Sequence, residues 1–444
     1  MSQETGIGVV GCGYLGATTA CCLAGMGFDV IGLDIDRDRV KELASGASPF
    51  YEPGLQDLLQ EGLRSGRLQF TTDYAELTER AQVVFLCVGT PQVDGELVAD
   101  LTQLHQSLDE LLPEIHRPTV LVGKSTVPVG TAVHLRERLL AEAPAGPECD
   151  LVWNPEFLQE GHAIENTTAP DRIVIGAHPD DKLGADAVRR VFAQQIAVGI
   201  PTVHTDLQTA EMVKVSANAF LATKISFINA MAEVCDAAGA DVELLAEALG
   251  HDARIGNRFL QPGLGFGGGC LPKDLRALLG RGSEIGAPKA VAFLREVDAI
   301  NRRCRDRVVD LTTLLLDGQV VGAKVAALGA AFKPVTDDIR DSPALEVAGR
   351  LHLLGADVCL YDPEAMGNAS RHWPELSYAR DTWEACSGAD VVLLLTEWDE
   401  FCSLDPVELG TVVAHRNVVD ARHCLDRSRW TAAGWTYRTP GVPD

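Results

Sequence analysis

Short apolar runs alternate with segments of helical spacing along the first part of the chain. This alternation predicts strands and helices that follow one another, forming a parallel sheet covered by helices on both faces. The apolar runs typical of buried strands lie at 7–10, 30–33, 83–88, 119–122 and 173–175.

A stretch without proline or glycine follows at 206–238. Its composition favours one helix about 50 Å long, at 1.5 Å per residue, which indicates a connector between domains and a surface for dimerisation. Strand-like runs resume at 325–328, 358–361, 391–395 and 418–419. We therefore predict an α/β protein with two Rossmann-like doubly wound parallel-sheet domains, joined by a long central helix and a helical dimerisation region. The predicted boundaries are 1–205, 206–305 and 306–444.

Charge and cysteine content narrow the class of protein. The net charge of −25 over 444 residues disfavours binding to nucleic acid or to an anionic membrane surface. No apolar run approaches the roughly 20 residues that span a bilayer, and the N-terminus lacks the pattern of a signal peptide, so we expect a cytoplasmic protein. The twelve cysteines include no CxxC pair and mostly lie in apolar runs, such as those around Cys87 and Cys359. We expect reduced, buried thiols and no metal site.

A glycine-rich turn at 11–16, with the sequence GCGYLG, follows the first predicted strand and opens a helix. Gly11 permits a tight turn, Gly13 lets a pyrophosphate approach the backbone at the helix N-terminus, and Gly16 allows close helix–strand packing. Asp34 ends the second strand, where its carboxylate can accept hydrogen bonds from ribose hydroxyls. The same carboxylate would repel a 2′-phosphate, so the pattern predicts NAD as the cofactor, with Arg39 weakening the exclusion of NADP.

Four glycines stand among the five residues before Cys270. They require a positive φ or a close approach of another group. Pro272 suits the first turn of a helix and would place Cys270 near its N-terminus, where the helix and Lys273 both favour a thiolate. A cysteine nucleophile combined with a nicotinamide site indicates that an aldehyde is captured as a thiohemiacetal, loses hydride, and leaves a thioester that water cleaves.

Lys214 and Asn218 are four residues apart on the predicted long helix and share a face. An ammonium and an amide in that position can stabilise an oxyanion or transfer a proton. Residues of these types more often lie in solvent, so their neighbours decide which role they have.

The chain resembles the nucleotide-sugar 6-dehydrogenases of the UDP-glucose/GDP-mannose dehydrogenase type, and most closely the branch that acts on UDP-glucose. The resemblance runs from about residue 6 to about residue 425. It implies two successive NAD-dependent oxidations at the sugar C6, from UDP-glucose to UDP-glucuronate, by a homodimer without a metal. Its markers are YEPGL at 51–55, VGTP at 88–91, KSTVPVGT at 124–131, NPEFLQEG at 154–161, PDRIVIG at 170–176, NAFLATKISFIN at 218–229, GFGGGCLPKD at 265–274, AFKP at 331–334 and DDIRDSP at 337–343, besides the GCGYLG turn.

The resemblance also implies roles for individual residues. Cys270 would be the nucleophile, while Lys214 and Asn218 would stabilise the oxyanion. Thr126, Glu156 and Asp274 would position or activate water, and the base among them stays open. The implied NAD-binding residues are Gly11, Gly13, Tyr14, Leu15, Gly16, Asp34, Arg39, Thr90, Thr126, Glu160, Lys273 and Arg340. The implied residues for the UDP-sugar are Glu156, Phe157, Leu158, Gln159, Glu160, Lys214, Asn218, Arg254, Phe259, Leu260, Gln261, Pro262, Gly263, Gly267, Lys333 and Arg422.

The resemblance implies that the N-terminal domain binds NAD, that the C-terminal domain binds the UDP-sugar, and that Arg254 reaches the neighbouring subunit's substrate. Two positions depart from the family pattern: Gly269 replaces a common serine, and Gln159 stands where arginine, lysine or alanine is usual. The same chemistry on GDP-mannose or a UDP-N-acetylhexosamine stays open. More distant alternatives are a 3-hydroxyacid dehydrogenase, which needs no thiol, and a non-catalytic NAD-binding protein.

Overall fold

The computed structural model describes residues 6–93 and 95–443. The chain forms two compact units. The N-terminal unit comprises Met1–Ala217 and Arg276–Ile285, and the C-terminal unit comprises Asn218–Leu275 and Gly286–Asp444.

The N-terminal unit contains, among the described residues, an eight-stranded sheet in the order β3-β2-β1-β4-β5-β6-β7-β8. Neighbouring strands are parallel except β6 and β7, which are antiparallel. The prediction of a parallel sheet is therefore correct for this unit apart from that one pair. The strands are β1 (Ile7–Val10), β2 (Val30–Leu33), β3 (Leu68–Thr71), β4 (Val83–Leu86), β5 (Val120–Gly123), β6 (Asp150–Trp153), β7 (Ile173–Ala177) and β8 (Thr202–Thr205).

The C-terminal unit contains, in its described part, a six-stranded parallel sheet in the order β11-β10-β9-β12-β13-β14. In both sheets the strand order changes direction at one point, β1/β4 in the first and β9/β12 in the second. Ligands of open α/β sheets bind beyond the carboxyl ends of the strands at such a point. The strands are β9 (Lys324–Leu328), β10 (Asp357–Tyr361), β11 (Ser377–Tyr378), β12 (Val391–Leu394), β13 (Asn417–Asp420) and β14 (Thr436–Arg438).

Helices cover both sheets, and the predicted long helix is observed as α10. The α-helices are α1 (Tyr14–Gly25), α2 (Arg37–Ala44), α3 (Leu55–Arg64), α4 (Tyr74–Arg80), α5 (Thr102–Leu111), α6 (Thr131–Glu142), α7 (Ala163–Thr168), α8 (Gly184–Val191), α9 (Ala193–Ala197), α10 (Leu207–Ala238), α11 (Val242–Gly250), α12 (Leu271–Glu284), α13 (Pro288–Val291), α14 (Phe293–Leu315), α15 (Pro343–Leu353), α16 (Met366–His372), α17 (Thr382–Cys386), α18 (Asp399–Cys402), α19 (Pro406–Leu409) and α20 (Arg427–Ala432), with 3₁₀ turns at Leu112–Glu114 and Gly146–Glu148.

The sheet of the N-terminal unit is buried on both faces, as continuous apolar strands require. Val9 of β1 and Phe85 of β4 belong to the core on one face of the sheet. Their neighbours along the strands, Val10 and Val84, belong to the core on the other face. The C-terminal sheet likewise separates two apolar clusters. The rigid strands therefore hold the loops at their carboxyl ends in fixed positions.

In the part of the chain that the structure describes, no helix combines the length and the apolar character needed to cross a membrane. The described residues also contain no group of three or more histidine, cysteine, aspartate or glutamate side chains arranged to hold a metal ion.

Candidate active site

The loop between β1 and α1 places its three glycines in different environments. Gly11 has a φ of +87°, and a Cβ atom there would lie 2.9 Å from Cα of Val88. A Cβ at Gly16 would lie 1.7 Å from the carbonyl oxygen of Gly11, so helix and loop are too close for a side chain. A Cβ at Gly13 would meet no atom of the described residues within 4 Å. A phosphate group therefore has room to approach the backbone at Gly13.

The N-terminus of α1 is suited to an anion. Gly13 is its N-cap residue, and no side chain in the described structure caps this end of the helix. The first backbone N–H groups of a helix have no partner within it, and they carry the positive end of the helix dipole. Leu15, in the first turn, packs against the apolar core and anchors this end of the helix.

Asp34 lies directly after β2 and is buried. Its Oδ2 accepts hydrogen bonds from the Cys12 N–H group at 2.8 Å and from Nη1 of Arg39 at 3.2 Å. Its Oδ1 accepts from the Asp36 N–H group at 3.0 Å. These bonds fix the carboxylate beside the glycine loop and engage Arg39 in an ion pair.

Glu52, from the YEPGL motif, is a buried carboxylate to which sequence reasoning assigned no role. It accepts hydrogen bonds from the hydroxyl group of Tyr14, from the Gly161 N–H group at 2.7 Å and from the Ala163 N–H group at 2.8 Å. Burial is the main cause that raises the pKa of the Tyr14 hydroxyl group, and its hydrogen bond to Glu52 raises the pKa further. Tyr14 is therefore the donor. Glu52 thus joins the first turn of α1 to the start of α7.

The loops after β4 and β5 are joined by Thr90, whose hydroxyl group donates to the carbonyl oxygen of Thr126 at 2.6 Å. Glu211 of α10 holds the next part of the second loop, because it accepts from the N–H groups of Gly130 and Ala132, both at 2.6 Å. Burial raises the pKa of Glu211 to about 7. The position of Thr126 therefore depends on contacts that are distant in sequence.

Glu156 and Lys214 form a buried ion pair, with Nζ of Lys214 2.9 Å from Oε1 of Glu156. The Lys214 side chain is 4% exposed, so this is no solvated surface lysine. The same Nζ lies 5.7 Å from the ring centroid of Phe157, and the guanidinium of Arg172 lies 3.7 Å from that centroid. A buried ammonium held against a carboxylate can stabilise a developing negative charge or exchange a proton.

The segment after Glu156 turns back on itself. The Leu158 N–H group donates to Oε2 of Glu156, and the Gln159 N–H group donates to Oδ1 of Asn166 at 2.8 Å. Glu160 is half-buried next to Gly161. The structure thus places Glu156 to Glu160 in one tight loop.

Lys124, in the KSTVPVGT motif, is a second buried lysine near this loop, and sequence reasoning did not single it out. Its Nζ donates to Oδ1 of Asn154 at 3.0 Å, and Asn154 Nδ2 donates to the carbonyl oxygen of Val174 at 2.8 Å. Burial lowers the pKa of Lys124, although Cys87 and Glu156 act in the opposite direction. Lys124 therefore fixes the chain two residues before Glu156.

In the C-terminal unit, Cys270 directly precedes α12, and its carbonyl oxygen accepts from the Asp274 N–H group at 2.9 Å. All twelve cysteines lie in the described part of the chain, and among them only Cys270 is exposed. Eight are buried, as expected, but Cys359 is only partly buried, because it alternates with core residues on β10. A thiol at a helix N-terminus that is open to solvent has the setting of a nucleophile.

The glycine-rich loop before Cys270 is enclosed by other backbone and side chains. A Cβ at Gly265 would lie 2.3 Å from Oδ1 of Asn301, and one at Gly267 would lie 2.4 Å from the carbonyl oxygen of Asp341. Gly268 has a φ of +82° and faces the ring of Phe332. Close approach, as well as positive φ, therefore explains this glycine run.

Asp274 is 1% exposed and lies in the first turn of α12. Its Oδ2 accepts from Nδ2 of Asn218 at 2.6 Å, and its Oδ1 accepts from Nζ of Lys273 at 2.8 Å. Asn218, Lys273 and Asp274, which sequence analysis selected separately, therefore form one hydrogen-bonded group. Its central residue, Asp274, lies four residues after Cys270 in the sequence.

Comparison with known proteins identifies the class of this site. Models of the UDP-glucose/GDP-mannose dehydrogenase family match its NAD binding domain at residues 5–196, its central domain at 208–303 and its UDP binding domain at 326–427. The chain belongs to the UDP-glucose/GDP-mannose dehydrogenase family. It is thus an oxidoreductase with an NAD-binding domain.

Similarity to individual members of the family extends over nearly the whole chain. It is 39% identical to a UDP-glucose 6-dehydrogenase of Rhizobium meliloti (strain 1021), covering 99% of this chain and 100% of the relative, and 39% identical to one of Bacillus subtilis (strain 168), covering 98% and 93%. A UDP-glucose dehydrogenase structure from Pyrobaculum islandicum has a TM-score of 0.89 at 34% identity, covering 99% and 97%. A UDP-D-ManNAc dehydrogenase structure from Pyrococcus horikoshii has a TM-score of 0.85 at 26% identity, covering 98% and 99%.

The NAD binding domain of this family member has residues that fit the cofactor. The open space at Gly13 and the uncapped start of α1, both judged from the described residues, suit a diphosphate. The oriented carboxylate of Asp34 suits ribose hydroxyls. Arg39 borders the same position, and Tyr14 and Leu15 lie in the first turn of the helix.

In the central domain, the structure places the predicted sugar residues in two settings. Arg254 is exposed and pairs with Asp252 at 2.6 Å. Leu260 and Pro262 are buried, and the Gly263 N–H group donates to Oδ1 of Asn229 on α10 at 2.9 Å. Phe259 has a positive φ of 60°, whereas Gln261 is exposed.

In the UDP binding domain, Lys333 lies with its Nζ 5.7 Å from the ring centroid of Phe332, and Arg340 pairs with Asp338 at 2.7 Å. Arg422 donates to the carbonyl oxygens of Leu395 at 2.7 Å, Phe332 at 3.1 Å and Gly265 at 3.3 Å. Its guanidinium therefore supports the loops around the site through their backbones.

Proposed function

We propose that this protein oxidises the C6 hydroxyl of UDP-glucose to a carboxylate in two NAD-dependent steps through Cys270. The observation that carries the proposal is the exposed thiol at the start of α12, within a loop that close contacts enclose. A plain alcohol dehydrogenase has no use for such a thiol. When bound, NAD supplies the hydride acceptor in each step.

The thiol divides the second oxidation into two easier parts. Its sulfur adds to the C6 aldehyde and forms a thiohemiacetal. Loss of hydride from this adduct leaves a thioester, and attack by one water releases the carboxylate and returns the thiol. One UDP-glucose thus gives one UDP-glucuronate carboxylate and two NADH, with one water consumed and three protons released.

Buried charged and polar side chains supply the remaining chemistry in this proposal. We assign to the Lys214 ammonium and the Asn218 amide the stabilisation of negative charge on the sugar oxygen, since both are buried donors. Glu156 and Asp274 are the carboxylates available to take a proton from water, and Thr126 helps to position that water. The acceptor bonds of Glu156 and Asp274, described above, keep both carboxylates oriented.

We propose UDP-glucose as the substrate because the relatives named UDP-glucose 6-dehydrogenase have the higher sequence identity to this chain. The identity is 39%, compared with 26% for the UDP-D-ManNAc dehydrogenase structure. The UDP binding domain supports a uridine nucleotide. Assays with UDP-glucose, UDP-N-acetylhexosamines and GDP-mannose at equal concentration would test the assignment by the initial rate of NADH release.

We also propose a homodimer formed through α10. Phe220, Phe227 and Val234 are exposed and spaced by seven residues, which forms an apolar stripe along the helix. Arg254, exposed in the single chain, would then reach the partner's substrate. Light scattering after gel filtration should give twice the chain mass for the native protein. Phe227→Asp should give a monomer. Leu354→Asp, at an exposed apolar residue outside α10, should remain a dimer. We also propose a cytoplasmic location, because eight of the twelve cysteines are buried single thiols and do not belong to a disulfide framework.

The decisive experiment counts NADH released per UDP-glucose consumed. We expect a ratio of about two for the native protein, because both oxidations occur on the same enzyme. Cys270→Ser should stop uronate formation, whereas Cys359→Ser, at a partly buried thiol on β10, should leave it intact. Normal uronate formation by Cys270→Ser would disprove the proposal.

A further inference from the structure

The loop that carries Cys270 has little stiffness of its own. Four of the five residues from 265 to 269 are glycine, the residue type with the widest backbone freedom. A nucleophile must nevertheless be held close to its productive position, because a misplacement of about 1 Å can lower the rate about 100-fold. Groups outside the loop must therefore hold it.

Asn301 of α14 is such a group. Its Oδ1 accepts from the N–H group of Phe266 at 2.7 Å, and its Nδ2 donates to the carbonyl oxygen of the same residue at 2.9 Å. The planar side-chain amide thus pairs with both backbone groups of one residue, as a neighbouring strand would. Asn301 is 2% exposed and Phe266 is buried, so water does not compete for these bonds.

Two further observations show that the loop is built around this pair. Gly265 has a φ of +88°, and a Cβ there would lie 2.3 Å from Oδ1 of Asn301. Arg305, one turn later on α14, donates to the Phe266 carbonyl oxygen at 3.4 Å and is paired with Glu346. Closer to Cys270, the N–H group of Gly268 donates to the carbonyl oxygen of Arg340 at 2.8 Å.

We propose that Asn301 is a positioning residue for the Cys270 nucleophile, an inference that rests on the proposed function. Asn301 acts through the backbone of Phe266, the only non-glycine residue between 265 and 269. Without it, the buried N–H and carbonyl groups of Phe266 lose partners, and the glycine run can adopt other conformations.

The test compares Asn301→Ala with Ser226→Ala. Ser226 is also buried, and its hydroxyl group donates to the carbonyl oxygen of Val297 on the same helix α14 at 2.7 Å, a bond in which the loop takes no part. Both variants lose a buried bond to α14. Asn301→Asp provides a second variant, isosteric with the native residue, that keeps the acceptor for Phe266 N–H and replaces the donor.

We expect Asn301→Ala and Asn301→Asp to lower kcat about 10- to 100-fold, with the Kd for UDP-glucose from calorimetry changed less than about threefold. The rate of Cys270 alkylation by iodoacetamide, measured by mass spectrometry, should fall in parallel. Ser226→Ala should lower the melting temperature while leaving kcat and the alkylation rate near native values.

Alkylation needs no turnover, so it separates the two proposals. If the native protein fails to oxidise UDP-glucose but alkylation still falls in the Asn301 variants, the proposed function is wrong and the positioning role stands. An alkylation rate that is unchanged or higher in both Asn301 variants would overturn the positioning role, as would an equal fall in Ser226→Ala.

Discussion

Asn218 donates its side-chain amide to Asp274, with Nδ2 2.6 Å from Oδ2, while Lys273 donates to the other oxygen. Each carboxylate oxygen therefore faces a donor. Asp274→Asn would turn an amide N–H₂ group towards one of these donors and would remove the negative charge. We expect a fall in kcat of about 100- to 10,000-fold, in the range for loss of a general acid or base.

Steady-state NADH release with UDP-glucose measures this effect, and a melting curve measures the accompanying loss of stability, about 1–3 kcal/mol for an unsatisfied buried donor. Asp310→Asn, at an exposed aspartate on α14, makes the same charge change as a control. A kcat for Asp274→Asn within threefold of the native value would exclude Asp274 from the reaction.

The strands that sequence predicts well are those with continuous apolar runs, because both faces of a parallel sheet are buried. Every predicted strand is present, and no end differs from the prediction by more than two residues. The sequence did not predict β3, β6, β8, β11 and β14. β8, Thr202–Thr205, is partly exposed, and β11 has two residues, so neither has an apolar pattern long enough to detect.

Site residues that lie within one short motif are easier to predict from the sequence than residues whose role depends on a partner in a distant segment. The glycines at 11–16 and the loop before Cys270 stand out in one stretch of sequence. Glu52, Lys124 and Asn301 have partners 109, 30 and 35 residues away, which no local pattern indicates. The only sequence signal for Glu52 and Lys124 is that they lie within the YEPGL and KSTVPVGT motifs, and Asn301 lies in none of the motifs.

Glu211 predicts a dependence of stability on pH. Burial raises its pKa from an ordinary value of 4.5 to about 7. The folded state therefore binds this proton more tightly than the unfolded state. The contribution of Glu211 protonation to the free energy of unfolding is fully present below about pH 4.5 and is lost as the pH rises through 7. Its magnitude is about 3 kcal/mol.

We expect the melting temperature of the native protein to fall more between pH 5 and pH 7.5 than that of Glu211→Gln, whose side chain does not titrate. Differential scanning calorimetry at the two pH values measures the difference. Glu79→Gln, at an exposed glutamate, should behave like the native protein. Equal pH dependence in the native protein and Glu211→Gln would show that Glu211 does not titrate in this range.

Glu52→Gln tests the buried carboxylate that joins α1 to α7. One of its oxygens faces the Gly161 N–H group and the Tyr14 hydroxyl, and the other faces the Ala163 N–H group. A glutamine must present its N–H₂ group to a donor, which should cost about 1–3 kcal/mol. Tyr14→Phe removes one donor and leaves both backbone bonds, so its loss, measured by chemical unfolding, should be smaller. A larger loss for Tyr14→Phe would contradict this account.

Asp34 predicts the choice between NAD and NADP. Its carboxylate is oriented by Cys12 and Asp36 N–H groups and already pairs with Arg39 at 3.2 Å. Asp34→Asn would keep the shape, remove the charge and release the Arg39 guanidinium to meet a 2′-phosphate. We expect the ratio of kcat/KM for NAD to that for NADP to fall about 10- to 100-fold, since about 1.4 kcal/mol corresponds to a factor of ten. Asp38→Asn, at an exposed aspartate that pairs with Lys41, changes the net charge equally and should leave the ratio near the native value. Adding Arg39→Ala to Asp34→Asn should abolish the gain with NADP, and persistence of that gain would mean that Arg39 does not provide it.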